Sequence, residues 1–243
     1  MCMPIIDACI QKDNIQKDNM TNDASIVMTA SDRPIQHFNP ILRFLAQLVS
    51  VLLHPLFMTS YVMGFLIFLH PYAFTGFDHR LKVFRFLNIF IFNAVFPIFA
   101  VFLLWRLQFI KSMLLRSAKE RIWLYLVAMI FYWWTWNVYK NLGDSPPIAV
   151  NFLFGAFLAI CGAWMCNIYF KISMHAIAIG GAMMFFLLFS FRDEYASGLY
   201  LSLAVLATGL VCTARFICSD HTPFQIWSGL IIGMLAQWVA WVI

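Results

Sequence analysis

The chain reads as an all-α protein, a polytopic transmembrane bundle of about seven helices with six as the alternative count, and three observations predict this. Hydrophobic residues make up 63% of the 243 positions and charged residues only 11%, whereas a soluble domain carries roughly 25% charged residues to meet water. The apolar residues gather in runs of about 20, the length a helix needs to cross hydrocarbon. Most Lys and Arg residues sit in the links between these runs or at their ends. The net charge of +5 is therefore spread over helix ends and forms no nucleic-acid surface.

Residues 1–40 differ in kind. A tandem Gln-Lys-Asp-Asn (Gln11 to Asn14, Gln16 to Asn19), mixed charges and few aromatics predict a disordered polar tail, because such a stretch buries too little apolar surface to offset its ordering entropy. Residues 41–243 form the membrane domain. Its first segment runs from Phe44 to Leu69 and ends at His70-Pro71 and Gly76-Phe77-Asp78. The second runs from Phe84 to Leu107. The third, Ile122 to Tyr139, is short and carries Trp133, Trp134 and Trp136 near one end, as at a membrane–water interface. The fourth spans Ile148 to Phe170, after a turn rich in helix breakers from Asn141 to Pro147. The fifth spans Ile172 to Phe191 and stops at Arg192-Asp193-Glu194. The sixth covers Leu199 to Thr213. The seventh covers Phe224 to Ile243, with Thr222 as N-cap and Pro223 at the first helical position. On it, Gly229-x-x-x-Gly233 has the small-residue spacing that lets membrane helices approach closely.

Alternating crossings bring three links to one side, shared with the N-terminal tail. Between the second and third helices lie Lys111, Arg116, Lys119, Glu120 and Arg121. Between the fourth and fifth lie Lys171, Ser173 and His175. Between the sixth and seventh lie Arg215, Asp220 and His221. Cations flank membrane helices as a matter of course, but that bias does not call for histidine. Imidazoles beside Arg and Lys suit phosphate chemistry: the cations neutralise oxyanions, and the rings serve as nucleophile and general acid. Ser173 and His175 fall in the first turn of the fifth helix, where backbone N–H groups and the dipole favour an anion. His221 stands in the same relation to the seventh helix, and Arg215 offers a forked donor.

Three short matches share an order and spacing over residues 110–240. They are Lys119 with Arg121, then Ile172-Ser173-Met174-His175, then Ala214-Arg215, five residues, His221, three residues, Gln225. The pattern resembles the type 2 phosphatidic acid phosphatase superfamily, which includes the vanadium haloperoxidases and carries K-x6-R-P, P-S-G-H and S-R-x5-H-x3-D. The resemblance implies that His221 attacks phosphorus to form a phosphohistidine and that His175 protonates the leaving alkoxide. It also implies that Arg215, Ser173 and Lys119 or Arg121, with Lys171 nearby, hold the phosphoryl oxygens, with no metal and no cofactor. Gln225 stands where the family has Asp, so the anionic partner of the nucleophile is replaced by an amide. Gln225 also fits position N3 of a capping box with Thr222, and both readings stay open. The first motif is eroded, Met174 replaces Gly, and Ala214 replaces Ser. The expected function is thus phosphohydrolysis or phosphotransfer on a lipid phosphate within the bilayer. A weak or inactive relative that binds lipid phosphates or membrane partners is the alternative. The expected location is a bacterial inner membrane or its equivalent, with multiple crossings.

His54-Pro55 interrupts the first segment. An ionisable residue inside a membrane is a functional candidate by default, but a neutral ring bonded across helices beside a proline kink is the preferred reading. Cys161, Cys166, Cys212 and Cys218 read as small apolar filler. No histidine pair has i, i+4 spacing and no Cys–His cluster has zinc spacing, which disfavours metal ligation.

Overall fold

The computed structural model describes residues 39–70, 72–109, 118–192, 198–218 and 222–243. The expected polar tail lies outside the described residues up to position 38, as do Pro71, Lys111, Arg116, Asp193, Glu194, Asp220 and His221. The side chains of Lys119 and Glu120 also lie outside them.

Every regular element among the described residues is helical. Asn39 caps the first, α1 (Pro40–Leu52), by accepting a hydrogen bond from the Ile41 N–H at 3.1 Å. The chain breaks at Leu53-His54 and continues as α2 (Pro55–Leu69), bent 59° from α1. The single first helix expected from hydropathy is therefore two. Pro55 explains the break, since its ring excludes the helical backbone from the residue before it, and His54 adopts an extended ψ of 139°.

The second span, α3 (His79–Arg106), starts one turn earlier than expected because Asp78 caps it. Pro97 cannot donate to the ladder, and the turn before it widens into a π-helical segment, Ile91–Val95. Asn93 in that segment accepts a 3.0 Å hydrogen bond from the Thr135 hydroxyl of α4 (Ala118–Asn141). The remaining helices are α5 (Pro147–Tyr169), α6 (Met174–Arg192), α7 (Gly198–Ile217) and α8 (Pro223–Val242).

Five described helices, α3 and α5 to α8, are long and apolar enough to cross a membrane, and α1 with α2 makes a sixth if the bent pair is one span. Helix α4 has the length, at 24 residues, but its tryptophans, tyrosines, Thr135 and Asn137 dilute its apolar character. The outward surface is greasy, with Phe84, Ile130, Leu206 and Leu235 exposed. Lipid is the solvent that such a surface demands.

Helix α8 packs most extensively on α6 and then on α5. The Gly229-x-x-x-Gly233 pair makes this contact. A Cβ on Gly233 would collide with the Ile177 carbonyl oxygen, and one on Gly229 would come to 2.9 Å from the Ser173 carbonyl oxygen. Gly229 faces Ser173 and Ala176 while Gly233 faces Ile177 and Gly181, so both helices run in the same direction. Their starts share one end of the bundle. The opposite end is held by Arg85, whose guanidinium donates to both carboxylate oxygens of Asp144 at 2.8 Å. Tyr139 donates its hydroxyl to the Arg85 carbonyl at 3.0 Å. Next to that end sits the larger apolar core, built around Phe65, Leu66, Phe152, Phe185 and Phe189.

Candidate functional site

A cavity of about 750 Å³ opens between the helices. Helix α4 turns Arg121, Leu124, Tyr125, Ala128 and Tyr132 toward it, the spacing of a single helical face. From Arg121 to Tyr132 the helix rises about 16 Å, so the cavity is a shaft and not a shallow cleft. Small residues make the room: Gly155, Ala159 and Ala163 on α5, and Ala178, Gly181 and Ala182 on α6. Met58, Phe152 and Ala182 belong both to its wall and to the core, and the core floors it.

The cations gather at the other end. Arg121 begins α4, Lys171 precedes α6, His175 lies in the first turn of α6, and Arg215 closes α7; all four line the cavity. Arg121 donates to the Ile172 carbonyl at 3.2 Å, which ties the α4 start to the loop before α6. The Ser173 N–H donates to the Gln225 carbonyl at 3.3 Å, and the Phe170 and Phe224 rings meet at 5.2 Å. The second and third sequence motifs are therefore neighbours. Arg215 is buried and lines the same cavity as His54.

Other expected site residues are placed differently. Ser173 is fully buried, its hydroxyl accepts from the Ala176 N–H at 3.5 Å as the α6 cap, and it is not on the cavity wall. The Gln225 side chain accepts from the Thr222 N–H at 3.2 Å, and the Thr222 hydroxyl accepts from the Gln225 N–H at 3.2 Å. The capping-box reading of Gln225 is thus realised, and its side-chain oxygen is engaged with the backbone of α8. His221 and the Lys119 side chain lie outside the described residues.

His54, expected as a ring bonded across helices, is instead bonded within its own helix and faces the cavity. It lines the cavity, and its ring meets His175 edge-on at 5.4 Å. Its Nδ1 accepts from the Leu56 N–H at 3.4 Å, which caps α2. The signal was present in the sequence, because His54-Pro55 repeats the cap-then-proline arrangement of Thr222-Pro223. Nδ1 as acceptor leaves the hydrogen on Nε2, making that atom a donor. His175 is fixed by its own Nε2, 3.0 Å from the Ser50 carbonyl oxygen of α1. A carbonyl only accepts, so Nε2 carries the hydrogen.

The arrangement has three cationic side chains and two imidazoles at the head of a mostly apolar shaft. It can hold an anionic group and offer it hydrogen-bond donors, and the shaft has room for an apolar chain. Comparison with protein families, with characterised proteins and with solved structures finds no match to this chain.

Proposed function

We propose that the protein is a membrane-embedded phosphatase or phosphotransferase acting on a lipid phosphate. The observation that supports this best is the composition of one cavity: Arg121, Lys171, Arg215, His54 and His175 at its head and mostly apolar walls below. An amphiphile with a phosphate head is the complement of that surface. In this reading α4 supplies the seventh crossing, and the chemistry sits at the end where α4, α6 and α8 begin.

The reaction follows from the resemblance to the type 2 phosphatidic acid phosphatases. The imidazole of His221 attacks phosphorus and the bond to the lipid oxygen breaks, while His175, entering the step as an imidazolium with its Nε2–H on the Ser50 carbonyl, gives its Nδ1 proton to the alkoxide and is left neutral. Water, giving a proton back to His175, then cleaves the phosphohistidine and releases inorganic phosphate. Arg121, Lys171 and Arg215 hold the non-bridging oxygens, where charge-assisted bonds are strongest. The positive charge that the transition state needs comes from these side chains.

Purified protein should release phosphate from a phosphatidate or polyprenyl phosphate without added metal. His221→Ala should lower release on the order of 10³-fold or more, the usual scale for a lost nucleophile, while lipid-phosphate binding persists. Undiminished release by that variant would end the proposed chemistry.

A second reading, a lipid-phosphate binder with little or no turnover, is favoured by the capping box. Gln225 stands at the family's Asp position, and its oxygen is occupied by the Thr222 N–H. Gln225→Asp separates the two readings. A large gain in release marks a weakened enzyme, and continued silence with intact binding marks a binder.

A further inference from the structure

Gln237 lies on the cavity wall, is 1% exposed, and neither its side-chain oxygen nor its nitrogen has a hydrogen-bond partner among the described residues. Burying an amide unpaired costs about 1–3 kcal/mol, so membrane helices seldom carry one idle. Leucine would fill the same volume at no such cost. The surroundings are arranged around this side chain: a Cβ on Gly155 would collide with the Gln237 carboxamide, so glycine at 155 makes its space. Its depth follows from the parallel α6–α8 contact. Gly229 is level with residues near His175, and Gly233 with the turn from Ile177 to Gly181, which puts Gln237 about 12 Å below His175.

Resting on the lipid-phosphate reading, we propose that Gln237 is a specificity residue that recognises a hydroxyl on the single chain inserted into the shaft, about 12 Å from the phosphate. A carboxamide both donates and accepts. A hydroxyl does the same, and it satisfies both of its atoms in a way a bare hydrocarbon chain cannot. A site built to hydrogen-bond a substrate hydroxyl discriminates strongly against the analogue that lacks it.

The test uses the full-length protein in detergent micelles with octadecyl phosphate and a series of octadecyl phosphates carrying one hydroxyl at successive mid-chain positions. Binding of each is measured for the native protein and for Gln237→Leu, a change that removes the unpaired amide and so should leave folding intact. The native protein should prefer one hydroxylated isomer over the plain chain by about 10-fold or more, the equivalent of roughly 1.4 kcal/mol. Gln237→Leu should bind the plain chain at least as well and lose the preference. Equal affinity of the native protein for all members overturns the proposal, because the amide then meets only water, while the lipid-phosphate reading stands. Failure of the native protein to bind any member overturns both.

Discussion

Arg215 shows how much one side chain can carry in this bundle. It is buried at the last turn of α7 and lines the cavity. Arg215→Met keeps most of the apolar stem, which packs independently of the charge, and removes the fork. Affinity for a lipid phosphate should fall about 10-fold or more, since charge-assisted hydrogen bonds contribute roughly 1.5–3 kcal/mol. Arg215→Lys should fall between the two, because an ammonium keeps the charge without the paired donors. Titration with a fluorescent lipid phosphate in micelles reads this order. His54 separates structure from chemistry in the same way. His54→Asn retains a side-chain acceptor for the Leu56 N–H and should unfold at the native temperature, yet bind lipid phosphate more weakly. His54→Ala also loses the cap and should destabilise by about 1 kcal/mol. Equal binding by native protein and His54→Asn would remove His54 from the site.

Helices differ in how they tolerate change, and the glycines make that measurable. Gly233 abuts the α6 backbone, whereas Gly209 on α7 has nothing within 4 Å of where a Cβ would sit. Gly233→Ala should destabilise by about 1–3 kcal/mol through overpacking. Gly209→Ala should stabilise by up to about 1 kcal/mol through helix propensity. Unfolding in mixed micelles compares the two. This contact was legible in the sequence because close approach demands small residues at a fixed spacing. So were the α8 start and the turn before α5, where proline and capping residues mark the boundary. The α1–α2 elbow was not. Phe44 to Leu69 is apolar throughout, and hydropathy sums side chains without registering a change of backbone direction. Helix α4 was underestimated in length because its charged first turn, from Lys119 to Arg121, and its polar last turn belong to the helix and not to the links.

For the molecule as a whole, the convergence of Arg121, Lys171, His175 and Arg215 followed from counting crossings, since a chain that alternates sides must return these links to a shared end. The depth of the shaft and the presence of Gln237 and His54 on its wall were not accessible that way, because both depend on which face each helix turns inward. The same alternation predicts sidedness. With the six native cysteines replaced, a cysteine at Phe224 should react with an impermeant maleimide from the side opposite to one at Gly143, both positions being exposed. Labelling of both from one side would contradict the arrangement of crossings. The elbow has a consequence for any such study. Where α1 stops short of His54, the Ser50 carbonyl has no N–H one turn ahead to accept from, and in oil an orphaned acceptor must find a donor. The His175 ring provides it. Replacing His175 with alanine thus removes the proposed proton relay and uncaps a helix at once, so its phenotype would mix any lost chemistry with a loosened α1–α2 elbow. His175→Gln, whose amide can still donate across that gap, is the substitution whose phenotype reports on the relay.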